Sequence, residues 1–224
     1  LDGGTRNINH RTLGAADGKP RNDLQHNGAA GVAFLSHGMS RLVPKRLRVL
    51  YPMSDADTTP QWLKRDGGHR LAYHRQDRAS PGVVFLGGYA SDMTGTKASF
   101  LDAWCREHGR AYLRFDYRGH GQSSGRFEDG TIGRWTDDAL AVLDALTEGP
   151  QILVGSSMGG WIMLNLALRR PDRIAGLVGI AAAPDFSQDI WWSLSAEDQD
   201  RLGTEGSLAI SEGEESLIVT HGFI

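Results

Sequence analysis

Residues 152–161 read ILVGSSMGGW, an apolar run that meets two adjacent serines set among glycines. Gly155-Ser156-Ser157-Met158-Gly159 fits the pattern G-x-S-x-G with Ser157 at its centre, and the flanks are the demanding part. The spacing predicts a strand before the motif (151–154) and a helix after it (160–169), the setting of a turn that carries a nucleophile. In such a turn the central residue takes an unfavourable backbone conformation. Glycines two positions to either side let strand and helix approach without Cβ clashes. The central side chain then projects above the sheet, and N–H groups at the helix start point toward a developing oxyanion. Ser156 cannot hold that place, because Val154 stands two residues before it, so it reads as a small filler. The bland alternative for Ser157 is an ordinary strand-to-helix turn.

Working outward, the region from Pro60 onward is regular. Asp66-Gly67-Gly68 between two short strand-like runs signals a hairpin. GVVFLGG (82–88) is a buried-strand run closed by glycines. TKASFLDAWCREHG (96–109) places Ala98, Phe100-Leu101 and Trp104-Cys105 at helical spacing and ends in Gly109, a fitting C-terminal stop. RAYLRFDYRGHG begins as a strand and ends in a glycine loop. Residues 134–149 predict a second amphipathic helix, 160–169 a third helix stopped by Pro171, and 175–184 a further strand. The order is a hairpin followed by β-α-β-α-β-α-β. That predicts an α/β class with a mostly parallel sheet and helices on both faces. After Pro184 the chain turns acidic, with an amphipathic helix expected near 189–202.

The chain has 224 residues, 40% hydrophobic and 23% charged, which suits one folded domain. Its net charge of −3 argues against phosphate-driven binding of nucleic acid. Residues 1–54 carry eight Lys or Arg against three Asp, so the acidity lies in the remainder. Residues 1–55 lack sustained periodicity and read as a poorly ordered or atypical extension. Residues 56–224 read as the folded part. The single cysteine, Cys105, excludes a disulfide framework and a zinc cluster, and reads as a small apolar helix residue. No apolar run reaches the length that spans a bilayer. The simplest compartment is a reducing one, the cytoplasm. A basic, acid-poor N-terminus also fits an organellar transit peptide, which makes the mitochondrial matrix the alternative. The first residue is Leu, as in a processed product or a fragment.

Acyl transfer needs a second oxyanion donor from the loop after an earlier strand, and FLGGYASDMTG (85–95) occupies that place. Gly87-Gly88-Tyr89 resembles the His-Gly-x or Gly-Gly-x turn that follows the third strand of α/β-hydrolases, and that resemblance implies the N–H groups of Tyr89 and Met158 as the oxyanion hole. GTKAS (95–99) suggests the end of a phosphate loop, but Thr96 separates Gly95 from Lys97 and the required G-K-S/T is absent. In FDYRGHGQSSG (115–125), Asp116 and Arg118 are expected to order the loop through charge-assisted hydrogen bonds, and His120 reads as a turn residue. His69 and His74 have no ligand partners in sequence, so no metal and no cofactor is expected.

FLGGYASDMTGTKA, RFDYRGHGQSSG, GPQILVGSSMGGWIML and RPDRIAGLVGIAAAPDF together resemble the α/β-hydrolase-domain family that includes palmitoyl-protein thioesterases and an acyl-glucuronide esterase. The resemblance spans roughly residues 82–183. It implies an α/β-hydrolase fold and a serine hydrolase that cleaves thioesters or carboxylic esters of small molecules or acylated proteins, with Ser157 as nucleophile. It also implies an acid and a histidine further along, beyond a lid that begins near residue 185. Only His221 follows Ser157, and it reads as a lid surface residue, while Asp185, Asp189 and Asp198 precede any plausible acid strand. The expectation is therefore a chain that stops after the sixth strand and the start of the lid, without the acid–base half. Two other readings fit the same residues: a non-catalytic α/β module that binds acyl groups or a partner protein, and a lipase or C–C hydrolase of the same superfamily. The oligomeric state is not legible.

Overall fold

The computed structural model describes residues 32–35, 59–212 and 215–224. The hairpin is present as β2 (Gln61–Lys64) and β3 (Arg70–Gln76), antiparallel with Lys64 opposite Arg70. It leads into β4 (Ala79–Leu86), α1 (Thr96–Glu107), β5 (Arg110–Phe115), α2 (Ile132–Leu146), β6 (Gln151–Ser156), α3 (Met158–Arg169) and β7 (Ile174–Ile180). The strands lie in the order β7-β6-β4-β5-β3-β2. The pairs β4–β5, β4–β6 and β6–β7 are parallel, and β3 runs antiparallel to β5. A further strand, β1 (Val32–Leu35), adds in parallel to the β7 edge and makes the sheet seven-stranded. It comes from the stretch read as an atypical extension, the rest of which lies outside the described residues.

The sheet is buried on both faces, and the period-2 alternation of its strands divides the core in two. Val84, Leu86, Leu113 and Leu153 face α2 and α3, meeting Trp135, Val142, Leu143, Ile162, Met163 and Leu166. Their neighbours Val83, Phe85, Tyr112 and Val154 face α1, meeting Ala98 and Cys105. The Cys105 thiol is fully buried, and burial, reinforced by the Asp102 carboxylate, pushes it up to about 11.

Two expectations need correction. On α1 only the Ala98–Leu101–Cys105 stripe turns inward. Phe100 and Trp104 are 50% and 41% exposed, since their positions fall outside the arc that one sheet face can cover. The helix expected near 189–202 is two helices, α4 (Phe186–Ser193) and α5 (Ala196–Glu205). Leu194 is extended, and Ser195 caps α5 by accepting the Asp198 N–H, so the local hydrogen bonding restarts the helix there. After α5 the chain forms an antiparallel hairpin, β8 (Ser207–Glu212) and β9 (Glu215–Thr220).

Candidate functional site

Ser157 joins β6 to α3 with φ 53° and ψ −120°. A non-glycine residue in this region is strained by about 1–3 kcal/mol, a cost the surrounding structure must over-determine. It does so from three sides. The Ser157 N–H donates to the Ile180 carbonyl at 3.0 Å, and its own carbonyl accepts from Gly160 at 2.8 Å and Ala183 at 3.2 Å. The glycines supply the space. A β-carbon on Gly155 would stand 2.5 Å from the Gly159 carbonyl oxygen, and one on Gly160 would stand 2.4 Å from the Ala182 Cβ. The motif spacing read from sequence is thus a steric requirement between β6, α3 and the loop after β7.

The β4 loop lies against this turn. A β-carbon on Gly88 would come within 3.4 Å of the Ser157 Cβ and of the Ser156 carbonyl oxygen. Ala90 takes φ 53° and the Ser91 N–H returns to the Gly88 carbonyl at 3.3 Å, so the chain turns sharply around Tyr89. Met158 is the first residue of α3, where a helix leaves its N–H groups without intrahelical acceptors, and no other backbone group takes the Tyr89 N–H among the described residues. The structure therefore brings Ser157, Met158 and the Gly87–Tyr89 turn together at one end of the parallel strands.

Asp116 ties two loops to this end. It is 2% exposed, its Oδ1 accepts the Met93 N–H at 2.7 Å and its Oδ2 accepts the Gln122 N–H at 2.8 Å. Burial raises its carboxyl above the ordinary value, opposed by those two N–H groups. Arg118 pairs with Asp138 of α2, donating to Oδ1 from Nη2 at 3.1 Å and to Oδ2 from its backbone N–H at 2.9 Å. His120 is buried against the rings of Tyr117, Phe127 and Trp135. Its Nδ1 lies 3.3 Å from the Arg118 carbonyl oxygen, its Nε2 is without a partner, and burial holds it below the ordinary histidine value.

The Tyr89 side chain joins this loop to the hairpin. Its ring packs on Phe127, Trp135, Phe186 and Phe223, and its hydroxyl donates to the Ile218 carbonyl at 2.9 Å. Burial pushes its phenol up to about 12, with Thr220 opposing the rise. His221 is exposed and lines an open groove of about 430 Å³ with Gln188, Trp191, Trp192 and Ile224. Among the described residues the Ser157 hydroxyl makes no hydrogen bond, and none gathers a set of residues that could hold a metal. No helix among them is long and apolar enough to cross a membrane.

Sequence reasoning missed Asp138 as the partner of Arg118, the aromatic seat of Tyr89, and the hydroxyls of Ser123 and Ser124. These last accept the β3 N–H groups of Ala72 at 2.9 Å and Arg70 at 2.8 Å. The QSSG stretch offered two polar side chains but not their distant acceptor-seeking strand.

The family described as having the alpha/beta hydrolase fold matches residues 82–203, and the chain belongs to it. Among curated relatives it is 42% identical over 171 residues to the palmitoyl-protein thioesterase ABHD10, mitochondrial, of Bos taurus, and 43% identical over 162 residues to that of Homo sapiens. Each alignment covers 70% of this chain and 53% of the relative, so the chain spans about half the length of these relatives. Among solved structures, alpha/beta hydrolase domain-containing protein 10 from mouse superposes with a TM-score of 0.67 at 38% identity, covering 74% of this chain and 67% of that one. A protein from Agrobacterium vitis S4 superposes with a TM-score of 0.68 at 37% identity, covering 73% and 69%.

Proposed function

We propose that Ser157 is the nucleophile of an acyl-transfer reaction on carboxylic esters or thioesters, of small molecules or of acylated proteins. The observation that carries the reading is the strained Ser157 backbone, held by three hydrogen bonds at the start of α3 and faced by the Gly87–Tyr89 turn. In the reaction a bond forms between Ser157 Oγ and the acyl carbon. The C–O or C–S bond breaks, and the alcohol or thiol leaves carrying the proton the serine gives up. Water then cleaves the acyl-serine to the carboxylic acid. The negative charge that develops on the carbonyl oxygen is taken by the N–H groups of Met158 and Tyr89, donors whose removal in such sites costs about 10²–10³ in rate. The proton acceptor is assigned to none of the described residues. The relatives named as palmitoyl-protein thioesterases support a thioester as the bond cleaved, and their naming as mitochondrial supports the mitochondrial alternative over the cytoplasm.

Single-turnover acylation tests this reading. Incubated with an acyl N-acetylcysteamine thioester, the protein is expected to gain the mass of one acyl group, and Ser157→Ala is expected to gain none. An equal gain in Ser157→Ala would overturn it.

A further inference from the structure

Beside the nucleophile, on the α1 side of the sheet, lies a cavity of about 140 Å³ that the reaction above does not use. It is lined by Phe85, Gly87, Gly88, Ser91, Asp92, Gly95, the first turn of α1 (Thr96, Lys97, Ala98) and Ser156. Gly88, which lines it, lies against Ser157, since a β-carbon there would stand 3.4 Å from the Ser157 Cβ. Its lining includes residues 95–98 of GTKAS, which lacks the phosphate-loop pattern, and Ser156, which reads from spacing as a filler.

Its chemistry is that of an anion acceptor. Gly95 precedes α1 with no side-chain cap, so the first N–H groups of a twelve-residue helix have no acceptor of their own and present the positive end of its dipole. Lys97, in that first turn, has no ion-pair partner among the described residues. Ser156 supplies the independent observation. It is only 7% exposed and makes no side-chain hydrogen bond. By strand alternation its hydroxyl points the same way as Val154, which packs with Phe85 and Ala98 of this same face. A hydroxyl that lines a cavity without a protein partner is available to a ligand that enters it. Asp92, the one acid in the lining, has its Oδ1 occupied by the Thr94 N–H at 2.7 Å and the Thr94 hydroxyl at 2.5 Å. The Ser91 hydroxyl lies 3.4 Å from the Tyr89 carbonyl and so links the cavity wall to the turn beside Ser157.

We propose that this cavity is an oxyanion subsite that takes a carboxylate or phosphate group between the α1 N-terminus, Lys97 and the Ser156 hydroxyl. The group is either carried by the substrate a few atoms from its scissile carbonyl or free in solution. The substrate-borne version rests on the reading of Ser157 as acyl acceptor; the site itself does not.

Binding is tested first, without reference to activity. Inorganic phosphate is titrated at constant ionic strength into the ¹⁵N-labelled full chain. Saturable shifts are expected at the Thr96, Lys97, Ala98 and Ser156 amides, and they persist in Ser157→Ala. Lys97→Gln, an exposed substitution, and Ser156→Ala each weaken binding by about tenfold or more, as the loss of a charge-assisted contact does. Shifts that do not saturate, or an affinity unchanged in both variants, would overturn the subsite. Its source is then read from acylation by p-nitrophenyl butyrate against mono-p-nitrophenyl succinate. Faster acylation by the succinate ester, lost in Lys97→Gln, assigns a substrate-borne anion. Equal rates with saturable phosphate binding assign a free one. Phosphate binding with no acylation of Ser157 by either ester would leave the subsite standing and remove the nucleophile reading.

Discussion

Gly159 sits so close to Leu86 that a β-carbon on it would stand 2.1 Å from the Leu86 carbonyl oxygen and 2.5 Å from that of Gly87. The contact is helix α3 against the end of β4, backbone to backbone, so nothing flexible can give way. Gly159→Ala is expected to destabilise by about 1–3 kcal/mol or more, the cost of overpacking, and to displace the Gly87–Tyr89 turn. Gly203→Ala is the control. It lies within α5, nothing stands within 4 Å of its added carbon, and helix propensity favours alanine by about 1 kcal/mol. Urea unfolding midpoints of the two variants check both signs.

Tyr89→Phe removes the hydroxyl that reaches the Ile218 carbonyl and leaves the aromatic packing intact. A neutral hydrogen bond contributes about 0.5–1.5 kcal/mol. The loss is expected to be local: amides of the β8–β9 hairpin exchange faster with solvent, while those of β6 keep their protection. Because burial holds the phenol near 12, the bond persists across neutral and mildly alkaline pH. Unchanged exchange in the hairpin would mean that the Tyr89 ring, and not its hydroxyl, holds the hairpin in place.

His120 makes stability depend on pH. Burial depresses its folded value below the ordinary 6.5, so the unfolded chain binds a proton the folded one refuses. Its contribution is complete above the ordinary value and is lost as pH falls from there toward the depressed folded value, by at most about 1.4 kcal/mol per pH unit for one proton. His120→Phe keeps an aromatic ring among Tyr117, Phe127 and Trp135. It is expected to show a smaller loss between pH 7.5 and 5.5 than the parent when both are unfolded in urea. The remaining histidines are common to both proteins, so they do not enter the difference.

What the sequence disclosed was what is local. The turn at Ser157 was legible because its steric demands fall on Gly155 and Gly159, two residues away, and because strand and helix flank it directly. The order of β2 to β7 followed from alternating apolar runs for the same reason. Contacts made over long separations were hidden. Arg118 finds Asp138 on α2, Tyr89 finds Ile218 across 129 residues, and β1 finds β7 from the far end of the chain. Phe100 and Trp104 misled because helical spacing identifies an apolar stripe but not its width. Ser156 was read as filler from its spacing alone, and what lies opposite its hydroxyl emerged only with α1 in place.

The nucleophile reading is tested most directly by a fluorophosphonate probe, followed by peptide mapping. The probe phosphonylates an activated serine hydroxyl with loss of fluoride, so the adduct reports which oxygen attacks. The account predicts one adduct, on Ser157 and not on the adjacent Ser156, absent from Ser157→Ala. An adduct on another serine, or labelling that survives Ser157→Ala undiminished, would contradict it.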